Sequence, residues 1–460
     1  MFYNDTIVAL ATPSGAGAIG VIRLSGVDAV AIVNELFKGK NLLIQKSHTI
    51  HLGKLIENDN IIDEVLVSLF LAPTSYTKEN VVEISCHGSP YIQQKIIEIL
   101  VDKGARLANP GEFTQRAFFN GRFDLSQAEA VADIIASDSE AAHKIAIQQM
   151  RGGISFKLKE LRTSLVDFTA LIELELDFGE EEVEFADRTK LNELLQQINI
   201  EIDSLIASFK YGNAIKNGIK VAIVGKPNAG KSSWINALMQ EDIAIVSEIA
   251  GTTRDKIETT LNINGITFRL IDTAGIRKTQ DTIEKIGVRI AHETIGQADI
   301  ILYIFDLTDT TLQDLENDLS ENLHQSTASK ILIANKSDLI FEGWEGISSD
   351  FETYSNVSFL SAYNNDDVNF IKKELYKIVT NEFLPNNESV VVSNARHYES
   401  LQKSKEAINE IIYKLQQNIS VDLISFDIKT ALLHLGAITG EIEIDKDILG
   451  TIFGKFCIGK

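Results

Sequence analysis

The chain has 460 residues, more than one ordinary core holds, so two to four domains are expected. Its 43 Lys and Arg against 65 Asp and Glu give 43 − 65 = −22, which excludes general nucleic-acid binding and leaves any RNA to a local patch or a basic partner. Cys86 and Cys457 are far apart and form no C-x-x-C pair, which excludes a disulfide framework or a zinc site, and neither an export signal nor a membrane span is indicated, so the cytoplasm is the expected compartment.

Residues 1–120 alternate β-rich runs with turn signals. Strands are expected at 6–12, 18–24, 49–56, 61–71 and 81–85 and a helix at 91–101, which together make a small α+β domain. Gly15, Gly17 and Gly20 spell G-x-G-x-x-G, but a dinucleotide site needs a helix to open inside the motif. The next residues, IGVIRLSG, read as another strand, so the glycines are taken to make a tight connection. Arg23 and Glu83 are charges inside strand-like runs, and on the residues alone the solvated face is the simpler place for them. Cys86 beside His87 is too little to make a nucleophile.

From about residue 121 the apolar period changes from two to 3.6. Residues 125–150, 158–178 and 191–209 read as long amphipathic helices, and the same style returns at 398–417 and 423–435. The acid-rich stretch from 173 to 187 reads as a solvated or hinge segment. The economical arrangement is one helical domain in two segments, 121–215 and 382–460, with a nucleotide domain inserted at 216–381.

Residues 225–232 read GKPNAGKS and fit G-x-x-x-x-G-K-[ST], between a β-branched run at 219–224 and a helix start at 232–238. In such a loop the backbone around Asn228, Ala229 and Gly230 surrounds phosphate, Lys231 reaches the outer phosphates and Ser232, followed by Ser233, offers a hydroxyl to Mg²⁺. Four further signals come in order. GTTRD at 251–255, with Thr252 and Thr253, can bring a threonine hydroxyl to that ion, and Asp272, Thr273, Ala274 and Gly275 close a strand so that Asp272 acts on the metal and the Gly275 N–H senses the γ-phosphate. Asn335, Lys336 and Asp338 of NKSD end an apolar run, where the Asp338 carboxylate can accept both N–H groups of guanine, and Ser361 and Ala362 end VSFL, in position to back the base. GTP is the expected ligand.

Ras-like enzymes orient the attacking water with a glutamine just after this DxxG segment, and here the position holds Ile276. Glu284 can take that role through a bridging water, or it is a first-turn helix acid. Asn228, with main-chain carbonyls of residues 247–252, can hold a monovalent cation that neutralises phosphate charge.

Taken together, the chain resembles the MnmE (TrmE) family of potassium-dependent tRNA-modification GTPases. The likeness runs through DTIVALATP and GAIGVIRLSG, NPGEF at 109–113, LSQAEAVADII, GKPNAGKSS, IAGTTRD, DTAGIR and the terminal FCIGK. It implies an N-terminal α+β folate-binding domain, a discontinuous all-α helical domain and an inserted P-loop Ras-like α/β G domain. It also implies a constitutive homodimer that binds a tetrahydrofolate one-carbon donor at Arg23, Glu83, Arg122 and Lys460, Arg122 standing where a lysine is common. By the same resemblance Asn228, Ser247, Ile249 and Thr252 hold K⁺, Ser232 and Thr253 hold Mg²⁺, Glu284 is the catalytic acid and Cys457 has an unspecified role. The implied reaction, with the FAD-dependent partner MnmG (GidA), adds a carboxymethylaminomethyl or aminomethyl group to carbon 5 of the wobble uridine of certain tRNAs, while GTP and K⁺ draw two G domains together. A regulatory or ribosome-assembly switch is the alternative, and the N-terminal domain and FCIGK tail count against it.

Overall fold

The computed structural model describes residues 5–177, 188–240, 259–272, 295–323, 326–339, 357–383, 390–417, 419 and 421–441. The chain packs as two compact units, Met1–Ile135 with Ala146–Asn199 and Gln402–Lys460, and Ala136–Ile145 with Ile200–Leu401.

The first unit is built on a seven-stranded sheet. Its strands are β1 (Ile7–Leu10), β2 (Ile19–Ser25), β3 (Phe37–Lys38), β4 (Thr49–Glu57), β5 (Asn60–Phe70), β6 (Val81–His87) and β7 (Arg106–Leu107), in the order β3-β4-β5-β6-β2-β1-β7. All neighbours are antiparallel except β1 with β7. Along β5 the side chains of Val65, Val67 and Leu69 are buried while Glu64 and Leu66 are exposed, the period of two that one covered face demands. Helices α1 (Ala29–Leu36) and α2 (Pro90–Asp102) supply the cover, joining Val33, Ile96 and Leu100 to Val8, Ile22, Leu24 and Ile84 in one core. Helix α1 was not expected from the sequence, because its β-branched run of 8 residues is too short to display a helical period. Gly15 and Gly17 do lie between two strands, β1 and β2, whereas Gly20 is inside β2. At Gly88 an added Cβ would stand 2.3 Å from the Gly17 carbonyl oxygen, so these residues serve a close backbone approach.

Helices α3 (Glu112–Phe119), α4 (Leu125–Ala136), α5 (Glu140–Met150), α6 (Gly153–Asp177) and α7 (Arg188–Asn217) come next. The expected single helix over 125–150 is two, since Ser139 Oγ accepts from Ala142 N at 3.2 Å and starts α5 afresh. Within the first unit α6 packs along the helix Val421–Thr439, and Lys414 of the helix Ala395–Gln416 pairs with Asp427 at 2.6 Å.

The second unit holds a six-stranded sheet, β13-β12-β11-β8-β10-β9, made of β8 (Ile219–Val224), β9 (Thr259–Ile263), β10 (Ile266–Asp272), β11 (Ile300–Asp306), β12 (Ser329–Asn335) and β13 (Val357–Phe359). Every pair is parallel except β9 with β10. Successive residues of β8 enter opposite cores: Val221 and Ile223 pack with Trp234 and Phe268, whereas Ala222 and Val224 pack with Tyr303 and Phe305. Burial on both faces is why β8 and β11 read as continuous apolar runs. Helices α8 (Lys231–Met239), α9 (Leu312–Asn322) and α10 (Asn365–Phe383) complete the described part.

Candidate functional sites

The first site lies where the parallel strands of the second sheet end. β8 stops at Val224 and the chain turns through a loop into α8, with φ of +145° at Gly225, +64° at Asn228 and +98° at Gly230. Side chains rarely tolerate these values, and a Cβ on Gly230 would also meet Asn335 Nδ2 at 2.1 Å. Asn335 is buried and ties two motifs together: its Nδ2 donates to the Ala229 carbonyl at 2.8 Å and its Oδ1 accepts from Trp234 Nε1 at 3.0 Å. Lys231 Nζ donates to the carbonyls of Gly225 and Lys226 at 2.8 and 2.7 Å, which holds the ammonium at the loop where phosphate oxygens can replace those acceptors. Ser232 is exposed and Ser233 half-buried in the first turn of α8.

The segments expected to read the base follow β12 and β13 of the same sheet. Asp338 is exposed in the short turn Ser337–Leu339 that follows β12, and Lys336 pairs with Asp306. Burial alone would raise the Asp306 carboxyl, but the hydrogen bonds from Lys336 and Thr308 hold it below its ordinary value. Ser361 and Ala362 are buried beyond β13, and the Ser361 N–H donates to Asp367 Oδ2 at 2.8 Å. Asp272 ends β10, in register with Ile223 of β8. Ser247, Ile249, Thr252, Thr253, Thr273, Ala274, Gly275, Ile276 and Glu284 lie outside the described residues, as do Cys457 and Lys460.

A second site is a cleft of about 560 Å³ on the open side of the first sheet, lined by Arg23, His48, Phe70, Tyr76, Glu83 and Arg122 among others. Antiparallel register puts Arg23 directly opposite Glu83, and Arg23 Nε donates to Glu83 Oε1 at 2.8 Å with the two side chains 19% and 27% exposed. The simpler reading of these two as solvated charges therefore gives way to a half-buried pair at a cleft. The Tyr76 ring meets two guanidiniums, with its centroid 5.4 Å from Arg23 and 5.0 Å from Arg122, and Arg122 also reaches the Phe123 ring at 5.0 Å. Burial raises the Tyr76 phenol, against the opposing hydrogen bond with Thr114 and the nearby arginines. This stacking uses a planar cation, so Arg122 does what a lysine would not do in the same way.

The wall of the cleft at residues 73–80 is fixed from behind by α3. Arg116, fully buried, pairs with Asp5 at 2.8 Å, Glu112 at 3.1 Å and Glu79 at 3.2 Å, and Ser25 Oγ donates to the same Glu79 carboxylate at 2.7 Å. Asn120 donates to the Thr77 carbonyl and Arg122 to the Ser75 carbonyl, at 2.7 and 2.8 Å. None of Arg116, His48 or Tyr76 stood out in the sequence. The available signal was the i,i+4 pair Glu112 and Arg116, which normally marks a solvated helix face. Cys86, behind the sheet, is inert: burial and then the Asp63 charge push its thiol up to about 11.

A family model described as the MnmE helical domain matches residues 125–457, and one described as the GTP-binding protein TrmE N-terminus matches residues 6–122. The chain is 50% identical to the tRNA modification GTPase MnmE of Cytophaga hutchinsonii and 52% identical to that of Flavobacterium johnsoniae. All of this chain is covered in both, with 98% and 100% of the relatives. The chain belongs to the MnmE family. It accordingly has three parts: a TrmE N-terminal α+β domain carrying the cleft, an MnmE helical domain, and a P-loop G domain carrying the nucleotide loop. Among solved structures, Aquifex aeolicus Era bound to GDP.AlF4− is 26% identical over 41% of this chain and 66% of that one, with a TM-score of 0.27, too slight a superposition to argue from. No helix among the described residues of this MnmE-family chain is long and apolar enough to cross a membrane.

Proposed function

We propose that this chain hydrolyses GTP in the modification of tRNA, acting with the FAD-dependent MnmG (GidA) to add a carboxymethylaminomethyl or aminomethyl group to carbon 5 of the wobble uridine. The observation that supports the GTP part of the reading is the Asn335 brace, which ties the phosphate loop to the NKSD segment. Asp338 selects guanine by accepting its paired N–H groups, Ser361 and Ala362 back the base, and Lys231 neutralises the outer phosphates. Glu284 orients the attacking water in the place of the glutamine that Ile276 replaces.

The exposed Ser232 hydroxyl at the start of α8 fits a Mg²⁺ ligand, with Thr253 as the second. Asn228, exposed at +64° in the loop, fits a K⁺ ligand that Ser247, Ile249 and Thr252 complete. Bound there, the two ions would supply positive charge where an arginine serves other GTPases. In the N-terminal cleft the Glu83 carboxylate, held by Arg23, suits the paired N–H groups of a reduced pterin, and Arg122 and Lys460 complete the set for a tetrahydrofolate in its 5,10-methylene or 5-formyl form. That group would supply the one-carbon unit. We take the assembly to be a homodimer. We place the domains at 1–120, 121–215, 216–381 and 382–460, and the protein in the cytoplasm.

Mass analysis of wobble uridines from a deletion strain tests the whole reading. The modified nucleoside should vanish and return with the wild-type gene but not with Glu284→Ala. Nucleosides unchanged by the deletion would exclude it.

A further inference from the structure

In a chain of net charge −22, no Asp or Glu occurs between Leu36 and Ile56, yet Lys38, Lys40, Lys46 and Lys54 do. All four are exposed, and none forms an ion pair with another described residue. Lys38 and Lys54 are direct cross-strand partners on β3 and β4. Like charges set opposite one another destabilise a sheet, and an anion lying across them removes that cost. The same segment runs to the cleft: His48, two residues beyond Lys46, lines it and meets the Phe70 ring edge-on at 5.5 Å. From Thr49, the residue after His48, β4 carries the line to Lys54 over about 17 Å.

We propose that this lysine strip binds the γ-linked oligoglutamate tail of the folate whose head the cleft takes, a step that rests on the folate reading of the cleft. A glutamate tail repeats a carboxylate along one extended chain, and lysine ammoniums, as mobile point charges, accept such a chain without fixed geometry. The strip is narrow. Glu64 stands opposite Lys54 on its other side and Asp59 is exposed in the turn beyond, so a single anionic chain fits where the wider field of an RNA backbone meets repulsion. Nor does the segment expose a Phe, Tyr or Trp on which a base could stack.

The test titrates the full-length protein with 5-formyltetrahydrofolate carrying one or five glutamates. The pentaglutamate should bind roughly tenfold tighter at low salt, as several partly exposed ion pairs acting together allow, and the gain should shrink as salt rises. Lys38→Glu/Lys54→Glu, and the milder Lys38→Gln/Lys54→Gln, should erase the gain and leave monoglutamate affinity within twofold. Equal affinity of the two ligands for the wild type overturns the proposal and leaves the folate cleft standing. Binding of neither ligand overturns both. A strip whose substitutions spare the pentaglutamate gain but abolish a tRNA gel shift is an RNA surface, and that result also overturns the proposal.

Discussion

The two candidate sites sit on two sheets that encode them in opposite ways. In the G domain, parallel strands end on one edge, and each chemical part is a short contiguous run just after a strand: GKPNAGKS after β8, NKSD after β12, SA after β13. There the backbone binds, so spacing and glycine carry the information. In the N-terminal sheet the cleft draws Arg23, His48, Phe70, Tyr76, Glu83 and Arg122 from separate segments. There side chains bind, and only antiparallel register and the anchoring from α3 bring them together. A backbone site should therefore fail at one base-reading side chain and tolerate most others, whereas a side-chain site should be sensitive to its supports.

The largest expected effect is at Asp338. Asp338→Asn removes an acceptor and presents a donor to guanine, and should weaken GTP by on the order of 10³-fold or more while improving xanthosine triphosphate, measured by titration of both nucleotides. Folate binding in the cleft should not change. A variant that kept its preference for GTP would show that the base is read elsewhere.

Next comes the support behind the cleft. Arg116→Met leaves Glu112 and Glu79 without their buried cation and should destabilise the N-terminal unit by about 3–5 kcal/mol in chemical unfolding. GTP affinity should stay within twofold. Equal damage to GTP binding would end the separation of the two sites.

A smaller effect is a pH dependence of the same unit. Burial pulls the Glu112 carboxyl upward, but hydrogen bonds from Arg106, the Asn109 N–H and Arg116 outweigh it and hold the group below its ordinary value of 4.5. Asp5, likewise opposed by burial, is lowered from 3.8 chiefly by Arg106 and Arg116. A lowered folded value stabilises the fold above the unfolded value and loses that contribution as pH falls through the folded one. The N-terminal unit should thus begin to lose stability below about pH 4.5. Arg116→Met should blunt this acid limb, and melting curves of the two proteins from pH 6 to pH 3 give the comparison.

The contrast also sets what is legible in the sequence alone. The phosphate loop, the NKSD run and the strands at β1, β2, β4, β5, β6 and β8 emerge from periodicity and spacing, because each is a local property of the chain, whereas GTTRD and Thr273 to Gly275 lie outside the described residues. The break between α4 and α5 was hidden because Ser139 caps a helix inside a run whose apolar period continues through it. Arg116 was hidden more deeply. A charged residue in an amphipathic helix signals solvent, and its burial depends on Asp5 and Glu79, which lie 111 and 37 positions away. The resemblance to a family pointed to Arg23, Glu83 and Arg122, but not to the tyrosine whose ring two of them meet.

The smallest expected effect sharpens the comparison most. Lys226 is the first residue after Gly225 in the phosphate loop, a charged side chain in the very segment that meets phosphate. Its ammonium turns away from that task and pairs with Asp318 of α9 at 3.3 Å, with the two side chains 48% and 20% exposed. Exposed pairs of this kind contribute about 0–1 kcal/mol. Asp318 is not stranded by the loss, since the Tyr303 hydroxyl donates to the same carboxylate oxygen at 2.8 Å. The loop keeps its shape through the glycines and the Asn335 brace, none of which involves the Lys226 side chain. Lys226→Ala should therefore leave GTP affinity within about twofold and stability within about 1 kcal/mol. A tenfold loss in nucleotide titration would mean that this loop grips phosphate with side chains as well as backbone, and the two sites would then differ in degree rather than in kind.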